Sequence, residues 1–393
     1  MNASGGPDPT RTIIFLAVAC FASAASLRAC DPILPEIARS FGTTPGAAAY
    51  IVSFFGIAYG FAQFGYGFAG DRFGKLRVII TATFLSAATA AICGIAGSLS
   101  FLIVARAGAG ITAAAIIPLA MAWIGDAVPY DRRQTVLARF LFGAILGITL
   151  GQVFGGVIAQ HFGWRWVFAM LATIFLVAGC ALAYESLTAG DRGQADAPPS
   201  ESGSRAMVSM LRRPWVVTVL VTVFLEGAVF LASITFVGSD LWARFGLGFD
   251  AIGLIVAGYG IGGLLYVAAA SALVRRLGEG GLVIGGGVVM ALAMATIAIA
   301  PTALIVAPAM VATGFGYYMF HNTLQVNATQ MAPEARGIAL GLFASCMFLG
   351  QAIGVAVAAP FFDNTGGPPI FLAAALFLVI LAFVYRAQAR RHA

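Results

Sequence analysis

Apolar residues run along this chain in long unbroken stretches, and charged residues fall mostly between those stretches rather than within them. Neither the two-residue alternation of a half-buried strand nor the stripe of a water-facing helix explains runs of about 20 apolar residues. At 1.5 Å of helix rise per residue, such a run crosses a hydrocarbon core of about 30 Å. The pattern predicts twelve spans, near 12–35, 45–69, 78–97, 101–123, 137–159, 164–184, 215–237, 250–273, 281–300, 303–325, 337–360 and 368–386. Lipid offers backbone N–H and C=O groups no partner, so each span is expected to be helical. The predicted fold is an all-α membrane protein: twelve transmembrane helices in two pseudo-symmetric six-helix bundles.

The only long polar stretch is 187–213, rich in Gly, Asp and Ser and containing Pro198-Pro199, and it reads as a cytoplasmic linker. It divides the chain into 1–186 and 214–393. The two parts match at an offset of 204: Glu36 with Asp240, Phe41-Gly42 with Phe245-Gly246, and Asp71-Arg72-Phe73-Gly74 with Arg275-Arg276-Leu277-Gly278. Pro129 and Arg132 align with Pro333 and Arg336 at the same offset, and Gly151-Gln152 with Gly350-Gln351 at 199. The order of these matches predicts a duplicated six-helix unit.

Composition agrees with a membrane protein. The chain is 60% hydrophobic and 10% charged, with mean hydropathy +0.94, where soluble domains carry about 25% charged residues. Of 22 cations, 17 fall on one side of the predicted topology. Only Arg39, Arg165 and Arg244 fall on the other, and Arg28 and Arg106 lie within spans. Lysine and arginine collect on the cytoplasmic side, so both termini are expected there, in a bacterial inner membrane. The net charge of +6 is then a consequence of topology and gives no reason to expect nucleic acid. Arg11, an apolar run and Ala22-Ser23-Ala24 resemble a cleavable secretory signal. Cleavage would leave eleven spans and spoil the charge parity, so the first span is expected to be retained. The five cysteines have neither metal-ligand nor disulfide spacing and read as packing residues.

Ionisable groups inside spans cost about 2.5–3.5 kcal/mol each on insertion scales, and mark functional sites by default. Glu226 lies 13 residues after Arg213, about 20 Å into the seventh span. With Thr222 and Ser233 it is expected to face a central cavity, where a carboxyl can load and release a proton. Arg28 and Asp31 share a face of the first span, and Arg106 enters the fourth span at a similar depth. Asp31 can pair with either arginine, or it can simply end the first helix before Pro32 and Pro35. Tyr318, His321, Asn322 and Gln325 form a second polar face, in which His321 is the group that ordinarily titrates near neutral pH. These eight residues, Glu226, Asp31, Arg28, Arg106, Tyr318, His321, Asn322 and Gln325, are the candidates for proton coupling and substrate contact.

Between the second and third spans stands Gly67-Phe-Ala-Gly-Asp71-Arg72-Phe-Gly74-Lys75-Leu-Arg77, read as a buried charged loop. It resembles the signature G-x-L-A-D-R-x-G-R-R of the major facilitator superfamily at Gly67, Asp71, Arg72, Gly74 and Lys75. It departs from it at Ala69 and Leu76. Gly147-x-x-x-Gly151-Gln152-x-x-Gly155-Gly156 in the fifth span resembles the exporter motif of the drug:proton antiporter branch, with Gln152 in place of its proline. Both stretches are candidate gating elements. The resemblance implies the facilitator fold, alternating access, and a contact between Asp71 and the start of the eleventh helix near Gly337. It also implies proton-coupled export of small lipophilic or drug-like molecules. A proton symporter importing a small organic acid on Arg28 and Arg106 is the alternative. No nucleophile–base set, metal cluster or phosphate loop argues for an enzyme. The expected partners are a small-molecule substrate, protons and the lipid bilayer. The chain is expected to act as a monomer with no cofactor and no metal, driven by the proton gradient.

Overall fold

The computed structural model describes residues 9–189, 209–332 and 336–392. Every regular element among them is a helix. In chain order they are α1 (Thr10–Arg28), α2 (Leu34–Ser40), α3 (Pro45–Phe73), α4 (Lys75–Gly94), α5 (Leu99–Ala113), α6 (Ile116–Ala127) and α7 (Tyr130–Phe162). Then come α8 (Trp164–Ala189), α9 (Pro214–Glu226), α10 (Ala232–Phe245), α11 (Phe249–Ile299), α12 (Ala303–Gln330), α13 (Arg336–Thr365) and α14 (Pro368–His392). A 3₁₀ turn, Asp31–Ile33, joins α1 to α2, and a π turn, Gly227–Leu231, joins α9 to α10. Eleven helical stretches among the described residues are long and apolar enough to cross a membrane. The predicted linker 187–213 falls largely outside the described residues, and so does Pro333.

The helices begin and end where local chemistry dictates. Thr44 and Ser98 each accept a bond from a backbone N–H three residues on, both at 3.2 Å, which starts α3 and α5. Glycines at positive φ stop helices, because only they enter that region without a Cβ penalty. Among the described residues the six such glycines fall in three pairs: Gly42 with Gly246, Gly74 with Gly278, and Gly163 with Gly366. The first two pairs are 204 residues apart and the third 203, the spacing of the sequence matches.

Several predicted boundaries need correction. The first span runs from Thr10 to Ser40, because after the turn at Asp31 the prolines sit at helix starts, where a missing N–H costs nothing. Asp31 therefore does not end the span. α3 continues to Phe73, so Asp71 and Arg72 lie in its last turn, and both are exposed rather than buried. The eighth and ninth spans are two helical limbs that meet at Gly278, whose backbone is not helical (φ 62°, ψ 177°). Arg275 and Arg276 are helical there, not loop residues.

α3 packs along α13, and α7 along α11, but only over part of their length. Ser53 donates to the Ala352 carbonyl at 2.6 Å, and positions Gly56 and Gly60 abut Ala352 and Leu349. Beyond them, Gly65 and Gly67 have nothing nearby, and neither do Gly337 and Gly341 on α13. The molecule is closed at the end holding Thr44 and Asp363 and splayed at the end holding Asp71.

Candidate functional site

α9 ends on Glu226, and the backbone then winds as a π turn. A π turn inserts a residue into the helical ladder and re-aims the side chains around it. A side chain on Gly227, its first residue, would collide with the Met347 carbonyl of α13. Glycine therefore lets the two backbones touch. The carboxyl Oε2 of Glu226 lies 2.7 Å from Nδ1 of His321 on α12. Glu226 is 0% exposed, and its Oε1 has no hydrogen-bond partner among the described residues. The imidazole is stacked on Tyr317 (4.8 Å, 15°), and Tyr317 on Phe230 (5.2 Å, 12°). Phe343 closes another side of the imidazole at 5.3 Å. Which group donates in this contact depends on the protonation and tautomer of the imidazole. A buried carboxylate left without such a partner is an uncompensated charge that its surroundings must answer.

A second charged pair lies on α1. Arg28 Nη1 donates to Asp31 Oδ2 at 3.0 Å, and both residues are buried. Of the two arginines open to Asp31 this is the one that pairs with it. Arg106 on α5 instead donates to the hydroxyl (3.3 Å) and carbonyl (3.1 Å) of Ser26, and its guanidinium sits 4.1 Å over the Phe55 ring. Tyr259 of α11 and Tyr317 of α12 are within electrostatic reach of both Arg28 and Glu226. Their rings are 5.6 Å apart. The site thus draws on α1, α9, α11 and α12, from both sides of the linker.

The remaining candidates scatter. The Thr222 and Ser233 hydroxyls donate to their own helix backbones, and neither bonds Glu226. Tyr318 packs on Tyr259, Asn322 bonds Tyr266, and Gln325 is exposed. The polar face of α12 therefore splits, and only His321 turns toward Glu226. Tyr317, Tyr259, Phe230 and Phe343 were not singled out by sequence, since single aromatics in an aromatic-rich chain carry no signal. Gly147, Gly151 and Gly155 on α7 press against Phe21, Ala25 and Ala29 of α1, whereas Gly156 faces α11. Gln152 is fully buried and neither polar atom of its amide has a hydrogen-bond partner among the described residues. α7 runs unbroken through it. At the splayed end, Gly74 (φ 87°) separates α3 from α4 and Lys75 pairs with Asp126 at 2.5 Å. Gly67, Asp71 and Arg72 are exposed there.

Residues 16–355 and 243–392 match the sequence profile of the Major Facilitator Superfamily. The chain belongs to the Major Facilitator Superfamily. It is 28% identical to the multidrug export protein EmrB of Haemophilus influenzae over 39% of this chain, a stretch that spans only 30% of EmrB. It is 26% identical to the probable transporter SCO4007 of Streptomyces coelicolor, over 95% of this chain and 87% of that one. A bacterial homolog of the human lysosomal transporter Spinster, solved inward-facing and unoccupied, shares the fold with a TM-score of 0.76. That match covers 98% of both chains at 17% identity. These relatives are transporters and not enzymes, and this chain is a multi-pass membrane protein of their family.

Proposed function

We propose that this chain is a secondary active transporter that exports small lipophilic or drug-like molecules by alternating access, coupled to proton entry. In this reading the two limbs of α11 on either side of Gly278 each cross the membrane, which makes twelve spans. Residues 1–186 and 214–393 form two six-helix bundles joined by a cytoplasmic linker at 187–213. Both termini face the cytoplasm of a bacterial cell. The splayed end is then the cytoplasmic one.

The observation that carries the reading is the buried Glu226–His321 pair, walled by Tyr317, Phe230 and Phe343. It offers a proton-binding group against an aromatic surface, and aromatic walls suit a lipophilic guest. Resemblance to a multidrug exporter supports the direction of transport. Import of an organic acid is less well supported. Arg28 is paired with Asp31, and Arg106 bonds Ser26 and lies over the Phe55 face with its Nε left without a partner among the described residues, so each guanidinium already has an engagement that a bound carboxylate must compete with.

The test uses purified protein in liposomes with an imposed pH gradient and ethidium as the transported probe. Wild type is expected to move ethidium uphill. Glu226→Gln is expected to bind it nearly as well while losing uphill movement. Undiminished uphill transport by the glutamine variant rejects Glu226 as the coupling group.

A further inference from the structure

At the closed end, helix ends from the two halves meet in reciprocal pairs. Asp363, in the last turn of α13, accepts from the Gly46 N–H at 2.8 Å and from the Thr44 hydroxyl at 2.7 Å. Gly46 lies in the first turn of α3, and Thr44 is its N-cap. Gln160, in the last turn of α7, accepts through Oε1 from the N–H of Phe249, the first residue of α11, at 2.7 Å. Gln160 and Asp363 are 203 residues apart, and so are Gly46 and Phe249. The two contacts are therefore images of each other under the spacing that relates Gly163 to Gly366. Each carries a side chain from one half to a free helix N–H of the other. Both need room: a side chain on Gly46 would strike the Asp363 carboxyl, and one on Gly248 would lie 3.1 Å from Gln160 Oε1. Between them, the Arg39 guanidinium of α2 sits 5.6 Å over Trp242 and 5.4 Å over Phe249.

Similar caps also occur within each half. Glu36 accepts from the Trp164 N–H at 3.1 Å, and Asp240 from Gly367. These hold one bundle together and do not change when bundles move apart. The Asp363 and Gln160 contacts must break in that motion.

We propose that Asp363 and Gln160 form a paired clasp that holds the outer face of the transporter shut and releases when the halves rock. This rests on the alternating-access reading. A helix N-terminus suits a reversible latch, because water satisfies its N–H groups once the side chain withdraws. The two arms are unequal. A carboxylate on a helix N-terminus is a charge-assisted contact aided by the helix dipole, whereas an amide carbonyl is not. Asp363 is the stronger arm.

Spin labels on Ser100 and Leu304 report the outer ends of the two halves, and labels on Phe73 and Leu277 the inner ends; all four positions are exposed. Exposed Cys180 is replaced by serine in both pairs. Loss of a helix cap corresponds to roughly a fivefold change in the closed-to-open ratio. Asp363→Ala is expected to add a longer Ser100–Leu304 distance by about that factor, and Gln160→Ala to add less. Asp363→Asn, which keeps the side chain's size, falls between Asp363→Ala and wild type. Glu36→Ala lowers stability without lengthening the outer distance. Unchanged outer distances in the Gln160→Ala, Asp363→Ala double variant overturn the clasp, as does an equal lengthening in Glu36→Ala. A longer outer distance without a shorter Phe73–Leu277 distance keeps the clasp and refutes the rocking motion.

Discussion

Arg28 and Arg106 carry the same group and are held in different ways. Arg28 is bonded to Asp31, and Arg106 rests on a serine and a phenylalanine face. Removing one member of a buried ion pair strands the other, at about 3–5 kcal/mol. Arg28→Ala and Asp31→Ala are each expected to cost that much in thermal unfolding of the detergent-solubilised protein, and the double variant much less than their sum. Asp31→Ala combined with Arg106→Ala is expected to show far weaker coupling, since field but no hydrogen bond joins those groups. Arg106→Lys is not conservative, because an ammonium lacks the planar face that stacks on Phe55. A related expectation concerns Tyr317. Tyr317→Phe keeps the flat surface beneath His321, and uphill ethidium transport should survive it. Tyr317→Ala opens that wall to water and is expected to abolish coupling, and equal transport by the two variants rejects the wall as a requirement. At this scale the sequence marked Glu226, His321, Arg28, Asp31 and Arg106 singly, because a charge in an apolar run is visible without a structure. The choice of partners was not visible. Glu226 and His321 are 95 residues apart, and Asp31 had two arginines within plausible reach.

Glycines that look alike in sequence do different jobs in the helices. Gly151 lies on the α7 ridge against α1, where an added Cβ meets Ala25 atoms at 2.8 to 3.1 Å. Gly151→Ala is expected to destabilise by about 1–3 kcal/mol through overpacking. Gly67 sits in a helix with open space around it. There alanine removes backbone freedom from the unfolded chain and is expected to be neutral or to stabilise by about 0.5–1 kcal/mol. Melting temperatures of the two variants check both signs. The apolar runs placed the helices long enough to cross a membrane, because lipid leaves the backbone no other solution. They missed how far α2 and α3 extend, since a helix can continue through polar residues once it leaves the hydrocarbon. They also missed the π turn after Glu226. It coincides with the close approach of Gly227 to Met347, a tertiary contact with no local signature.

The two halves meet tightly at one end and part at the other, and the repeat explains why both ends are built from the same pieces. Its marks were legible in part: Gly42 and Gly246, or Gly74 and Gly278, are visible at a constant offset because only glycine serves at those turns. The reciprocal contacts of Asp363 and Gln160 were not, because an aspartate and a glutamine do not resemble each other in sequence. Asp71 belongs to the splayed end. It is exposed, without a hydrogen bond or ion pair among the described residues, and the start of α13 at Gly337 has equally open surroundings. When the halves rock and the splayed end closes, α3 and α13 approach along the line they already share from Ser53 to Gly60. In the alternating-access reading Asp71 is then expected to reach the first turn of α13, where free N–H groups and the helix dipole favour an anion. The corresponding position in the second half is Arg275, whose charge cannot serve a helix N-terminus, so this latch is one-sided where the outer clasp is paired. Asp71→Asn is expected to leave ethidium affinity nearly unchanged, to slow transport, and to enrich the splayed conformation by several-fold, as a lost helix–charge interaction of up to about 1 kcal/mol requires. Spin labels at Phe68 on α3 and Leu340 on α13 measure that enrichment directly. The same Phe68–Leu340 distance distribution in wild type and Asp71→Asn would reject the latch and leave Asp71 as a solvated residue at the end of its helix.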